Sequence, residues 1–209
     1  MKRKIRILIV DDHAMVRFAL AEAISGEPDL TLIAEAANGS EALELYRKHR
    51  PDVVTMDFQL PGADGAASTA ALRAEFPDAH VLLLSVFEGE EDIWRAVQAG
   101  ALGYVSKSAE IAEVLEGIRE LAGGREYFPA AIAARLNARR SRDTLSPREL
   151  QVLRAIVAGC SNKEISSSLG LSEAAVKLYI SNTLAKLGVA DRTQAAIQAI
   201  RRGIVHLDD

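Results

Sequence analysis

The stretch IRILIVDDHAMVRFALAEAISGEP, residues 5–28, decides the fold. Ile5–Val10 is a short apolar run that ends in Asp11-Asp12, and Ala14–Ser25 then places Val16, Leu20 and Ile24 at helical spacing before Gly26 and Pro28. That reads as strand, loop, helix. The unit recurs as Leu30–Ala36 then Ser40–His49, Val53–Met56 then about Ala66–Phe76, Val81–Leu84 then about Glu90–Ala99, and Gly103–Val105 then Ile111–Ala122. Successive βα units predict an open parallel sheet with helices on both faces. Runs such as VLLL (Val81–Leu84) fit strands buried on both sides, where a surface sheet would alternate polar and apolar positions.

The pattern changes after Gly123-Gly124. REYFPAAIAARLNARRSRDT (Arg125–Thr144) reads as a linker holding one short helix that starts near Pro129. From Leu145 no strand pattern survives, and Pro147–Ala158, Asn162–Leu169, Glu173–Leu187 and Arg192–Arg202 read as helices, the first three followed by Gly159, Gly170 and Gly188. The expected domains are therefore 1–122, a linker 123–144, and 145–209. Charge follows the same division: residues 1–124 carry 12 Lys+Arg against 21 Asp+Glu, residues 125–140 carry 4 against 1, and residues 141–209 carry 9 against 7. An acidic front joins a mildly basic rear.

Composition narrows the function classes. With 49% hydrophobic and 26% charged residues, the 209-residue chain reads as globular rather than disordered. No apolar run approaches the roughly 18–20 residues that span a bilayer, and the opening MKRKIRILIVDD turns acidic too soon for a signal peptide. The expectation is a cytoplasmic protein with no membrane partner. Cys160, the only cysteine, excludes an intrachain disulfide and a cysteine zinc cluster.

Asp11 and Asp12 follow the first strand, Asp57 and Ser85 end the third and fourth, and Lys107 follows the fifth. In an open α/β sheet, ligands bind outside the carboxyl ends of the strands, so these residues converge on one crevice. Two unit charges 4 Å apart repel by about 4 kcal/mol at an effective dielectric of 20, so protons or a hard cation must compensate three gathered carboxylates. Mg²⁺ suits the site because it needs only one or two carboxylates and keeps positions for water and phosphate oxygen. Asp12 and Asp57 would ligate it, with Asp11 acting through water. Asp57 is then placed as a nucleophile toward a phosphoryl group, with Lys107 neutralising the transferring oxygens.

DDH (Asp11–His13), MDFQLPGADG (Met56–Gly65), LLLS (Leu82–Ser85) and AGALGYVSKS (Ala99–Ser108) resemble the motifs of response-regulator receiver domains. The resemblance covers about the first 120 residues and implies a flavodoxin-like (βα)5 doubly wound parallel sheet. It also implies that Asp57 takes phosphate from a sensor histidine kinase, that the backbone carbonyl of Gln59 completes the metal site, and that Ser85 bonds a phosphoryl oxygen. Tyr104 would be the switch residue that moves inward when Ser85 shifts. Two positions depart from the common pattern: Ser108 where proline is frequent after the lysine, and Val86 where a small residue usually follows the hydroxyl.

In the rear half, Asn162–Leu169, a break at Gly170-Leu171, and Ser172 as N-cap before Glu173–Leu187 give the spacing of a helix-turn-helix. Periodicity alone leaves a helical interaction module open. Leu145–Ile200 resembles the LuxR-type DNA-binding domain of NarL/FixJ regulators, most strongly in SNKEI and VKLY…KLGV. The resemblance implies promoter DNA as a partner. The second helix would enter the major groove with Lys177, Leu178 and Ser181, while Lys186 meets the backbone. Ser161, Asn162 and Lys163, at a helix N-terminus, would hold phosphate. Ala175, Tyr179 and Ser181 replace residues that are Ser or Thr, His, and Lys in other members, so a shallower salt dependence is expected. Ala195, Ala196, Ala199 and Ile200 on the last helix would support a homodimer, or equally pack into the core.

The resulting expectation is a phosphorylation-dependent DNA-binding transcriptional regulator, with no enzyme activity beyond phosphate acceptance and autodephosphorylation. An aspartyl-phosphate hydrolase is disfavoured because Gln59 stands where haloacid-dehalogenase-like enzymes carry Asp, and a flavin binder because DDHA is acidic where a flavin phosphate needs hydroxyls. The alternative is DNA binding independent of phosphorylation.

Overall fold

The computed structural model describes residues 3–206; residues 1–2 and 207–209, at the ends of the expected domains, lie outside the described residues. The chain divides into two compact units, residues 1–88 with 93–134, and residues 89–92 with 135–209.

The first unit holds β1 (Ile5–Val10), α1 (Ala14–Ser25), β2 (Leu30–Ala36), α2 (Gly39–His49), β3 (Val53–Asp57), α3 (Gly65–Glu75), β4 (Val81–Ser85), most of α4 (Glu90–Gln98), β5 (Gly103–Ser106) and α5 (Ile111–Ala122). The strands form one parallel sheet in the order β2-β1-β3-β4-β5. This is the doubly wound sheet the sequence predicts. Every residue of β3 and β4 is buried, which explains why these strands are written almost entirely in apolar residues. Ile7, Ile9, Leu82, Leu84 and Val105 of the sheet pack with Leu20 and Ile24 of α1 and with Leu115, Ile118 and Leu121 of α5.

Strand order reverses direction around β1, which has β2 on one side and β3 on the other. A crevice opens at such a switch point, beyond the carboxyl ends of the two strands. Register aligns those ends: Val10 pairs with Met56, Asp57 with Leu84, and Ser85 with Ser106. The third, fourth and fifth strands run one residue beyond their apolar stretches, because the Phe58 amide still donates to the Leu84 carbonyl and the Lys107 amide to that of Ser85. Asp57 and Ser85 are thus held by ladder hydrogen bonds rather than carried on loops. Gly65 lets α3 begin directly beneath them: a Cβ there would sit 2.1 Å from the Asp57 carbonyl oxygen.

Helix α6 (Ala130–Arg140) follows Pro129 and spans residues of both units. The second unit continues with α7 (Pro147–Val157), α8 (Asn162–Leu169), α9 (Glu173–Leu187) and α10 (Arg192–Arg201). Ser146 with Glu149 and Ser161 with Glu164 form capping boxes at the starts of α7 and α8. Gly170 and Gly188 close α8 and α9 in the left-handed region. Leu153, Leu187, Ala195, Ala199 and Val205 make one core cluster, and Val152, Ile156, Ile165 and Val176 a second. Ala195 and Ala199 are wholly buried inside this unit, so their small size serves close packing of α10 within it.

Candidate functional site

The end of β3 places Asp57 at the floor of the crevice, 2% exposed. One carboxylate oxygen, Oδ1, accepts from the Gln59 amide at 3.1 Å, and Oδ2 lies 2.7 Å from Lys107 Nζ. Asp11, 1% exposed, mirrors it: Oδ1 accepts from the His13 amide at 2.8 Å, and Oδ2 lies 2.7 Å from the same Nζ. Apart from that ammonium, neither buried Oδ2 has a hydrogen-bond partner among the described residues. Asp12 is more open, and its carboxylate lies 2.7 Å from His13 Nδ1. Arg17 steadies the first loop by donating to the Asp11 carbonyl at 2.7 Å.

Three carboxylates and one ammonium leave a net formal charge of −2, from three negative charges and one positive. Burial pushes the Asp57 carboxyl above its ordinary range, and the Lys107 hydrogen bond only partly opposes this. For Lys107, burial pulls downward, but the paired carboxylates reverse it and hold the ammonium above its ordinary value. A site with excess negative charge, oxygen donors and two under-partnered buried oxygens fits a hard divalent cation. One ligand atom from each of Asp11, Asp12, His13 and Asp57 falls within 4.8 Å of all the others. His13 was not singled out as a ligand from sequence; the only signal was its place directly after the acidic pair.

Ser85 is fully buried, and its Oγ accepts from the Phe87 amide at 2.9 Å. Tyr104 is also fully buried, and its hydroxyl donates to the Phe87 carbonyl at 2.7 Å. The inward position expected only after a shift of Ser85 is the one the ring already holds. Phe87 fixes it there, supported by an edge contact with Phe58 at 6.2 Å between ring centroids. Of the two departures from the common motif, Val86 projects 61% exposed and Ser108 places its hydroxyl 2.8 Å from that of Ser106.

On the helical unit, α8 and α9 meet at the turn after Gly170, where the Leu171 amide donates to the Ser166 carbonyl. Ser161 is spent as the cap of α8, accepting from the Glu164 amide, while Lys163 beside it is exposed and Asn162 half-buried. On α9, Lys177, Leu178 and Ser181 are all exposed, and Val176, Thr183 and Leu187 turn inward. Lys186 stands apart from them: its ammonium donates to Glu149 at 2.7 Å and to the Thr144 carbonyl at 3.1 Å. Glu149, 4% exposed, is drawn upward by burial, yet Lys186 and the Ser146 donors outweigh this and hold it below the usual carboxylate range.

Residues 7–119 match the family model of the response regulator receiver domain, and residues 143–199 that of the bacterial regulatory proteins of the luxR family. The transcriptional regulatory protein LiaR of Bacillus subtilis (strain 168) is 36% identical over 97% of this chain and 100% of its own length. The crystal structure of the response regulator ChrA of a heme-sensing two-component system is 35% identical, covers 97% of this chain and 99% of that one, and superposes with a TM-score of 0.58. The response regulator RcsB, solved in complex with DNA, is 21% identical over 94% of this chain and 98% of its own, with a TM-score of 0.72, and shares the fold.

Proposed function

The chain belongs to the response regulators that join a receiver domain to a LuxR-type DNA-binding domain, and from that premise we propose that phosphorylation of Asp57 controls its binding to promoter DNA. The observation that carries this reading is the convergence of Asp11, Asp57 and Lys107, with one ammonium bridging two buried carboxylates at 2.7 Å each.

In the proposed transfer, an Asp57 carboxylate oxygen forms the new P–O bond as the P–N bond to a sensor kinase's phosphohistidine breaks, and the leaving imidazole keeps the electron pair and takes a proton. Lys107 is positioned to follow a phosphoryl oxygen, exchanging its pairing with carboxylate for pairing with phosphate. Ser85 would donate its hydroxyl hydrogen to another oxygen, since its contact with the Phe87 amide uses only a lone pair of Oγ. Asp11, Asp12, Asp57 and the Gln59 carbonyl would hold Mg²⁺, which when bound offsets charge on the transferring oxygens. Return to the free carboxylate is attack of water on the same phosphorus, the autodephosphorylation expected of such a site.

Ser161, Asn162, Lys163, Lys177, Leu178 and Ser181 would contact DNA. Lys186 has three N–H donors, of which two are used by Glu149 and the Thr144 carbonyl, so one is left for a backbone phosphate. With Ala195 and Ala199 inside the core, Ile197 and Ile200 are the exposed large apolar residues that α10 would offer to a homodimer. Domains of 1–122 and 145–209 about a linker, and a cytoplasmic location, complete the proposal; among the described residues no helix is long and apolar enough to cross a membrane.

The inward Tyr104 favours one alternative, DNA binding without phosphorylation. Affinity for selected promoter DNA separates the two, measured for the wild type and Asp57→Ala with and without acetyl phosphate. Phosphorylation control predicts a gain of about tenfold, within the usual range of site-to-site coupling, for the wild type alone. Equal affinity in all four samples would establish the alternative.

A further inference from the structure

Helix α9 buries Val176 and Leu187 and half-buries Ile180 and Leu184, yet leaves Leu178 61% exposed. It is the one large apolar side chain on the exposed face of this helix, where its neighbours are Ala174, Lys177, Ser181 and Asn182. An isolated exposed leucine adds nothing to the fold. It follows directly on the exposed cation Lys177, whose charge suits an anionic partner.

We propose that Leu178 reads thymine, packing its side chain on the C5-methyl group of one thymine in each half of the operator. This rests on the reading that α9 enters the major groove. There every base edge offers hydrogen-bonding atoms, and thymine alone adds a methyl group. Leucine has no donor or acceptor, so the purine acceptors and the cytosine and adenine amino groups would lose water against it without recompense. The methyl group is the surface it can cover at a gain. Lys177, one residue earlier, remains free to meet a guanine edge or a phosphate, so the two neighbours divide the work: one supplies charge and the other discriminates by shape. Leu178 is the sixth residue of α9, within the half of the helix that reaches bases in this class of docking.

The test uses the full chain treated with acetyl phosphate and a randomised duplex library to select a binding sequence. Each thymine of that sequence is then replaced singly by deoxyuridine, which removes only the methyl group. For the wild type, one replacement per half-site should weaken binding about fourfold, the factor for one methyl group taken out of water. Leu178→Ala should bind with equal affinity to the thymine and uracil duplexes, whereas Lys177→Ala should bind less tightly but keep the fourfold preference. Selected DNA that tolerates uracil everywhere, or a preference that survives Leu178→Ala, would overturn the inference and leave DNA binding standing. Selection of no sequence at all would overturn both.

Discussion

The acidic crevice and the exposed face of α9 are built on opposite principles. In the crevice, strand ends locked by ladder hydrogen bonds force Asp57 and Ser85 into one place, Asp11 follows at the next strand, and the charges are buried against each other. On α9 the scaffold faces inward through Val176, Thr183 and Leu187, and Lys177, Leu178 and Ser181 are exposed. A site made of buried charges is coupled to stability; an exposed helix face is not. Residues in the first region should therefore resist change, while residues in the second can be exchanged at almost no thermodynamic cost.

Removing the ammonium should have the largest effect on stability. Lys107→Ala leaves Asp11 and Asp57 facing each other without their shared cation, and losing one partner of a buried pair costs about 3–5 kcal/mol. Urea unfolding followed by fluorescence of Trp94, the only tryptophan and a member of the first unit, should register that loss at neutral pH, with part of it restored by millimolar Mg²⁺. A variant as stable as the wild type would mean that the pocket carries no buried charge.

Acid sharpens the contrast between the two units. Glu149 has a lowered pKa in the fold, so its contribution is present above the ordinary value of 4.5 and is lost as pH falls through the lower folded value. Asp57 has the opposite sign: its raised pKa means that stability is fully present below 3.8 and is lost as pH rises through the folded value. Glu149→Gln should cost the helical unit about 1–2 kcal/mol at neutral pH, the scale of a lost capping box and ion pair, and the difference from wild type should shrink on going below pH 4.5. Circular dichroism at the two pH values checks it; a cost that grows in acid would reverse the assigned sign. At the small end, Leu178→Ala should change stability by no more than about 0.5 kcal/mol.

Much of the crevice is legible in the sequence because its residue types sit where strands end, and strand ends are marked by apolar runs giving way to Asp or Ser. The position of Tyr104 is not: its depth depends on a hydrogen bond from this β5 residue to Phe87, seventeen residues away in the loop after β4. Lys186 illustrates the same limit, since its exposure was decided by Glu149 on a separate helix. His13 directly follows the acidic pair, but its place among the candidate ligands depends on the loop after β1, where its own amide is tied to Asp11. The alanines of α10 show that small residues at helical spacing mark close packing without saying against what. Side chains aimed by the backbone are legible in sequence; side chains aimed by a distant partner are not.

The proposed central role of Asp57 is tested most directly by intact-mass and peptide analysis of the full chain after exposure to acetyl phosphate and Mg²⁺. One added phosphoryl group is expected, located on the peptide containing Asp57 and absent from Asp57→Ala. A phosphoryl group on any other residue of the wild type, or equal incorporation by the variant, would contradict it.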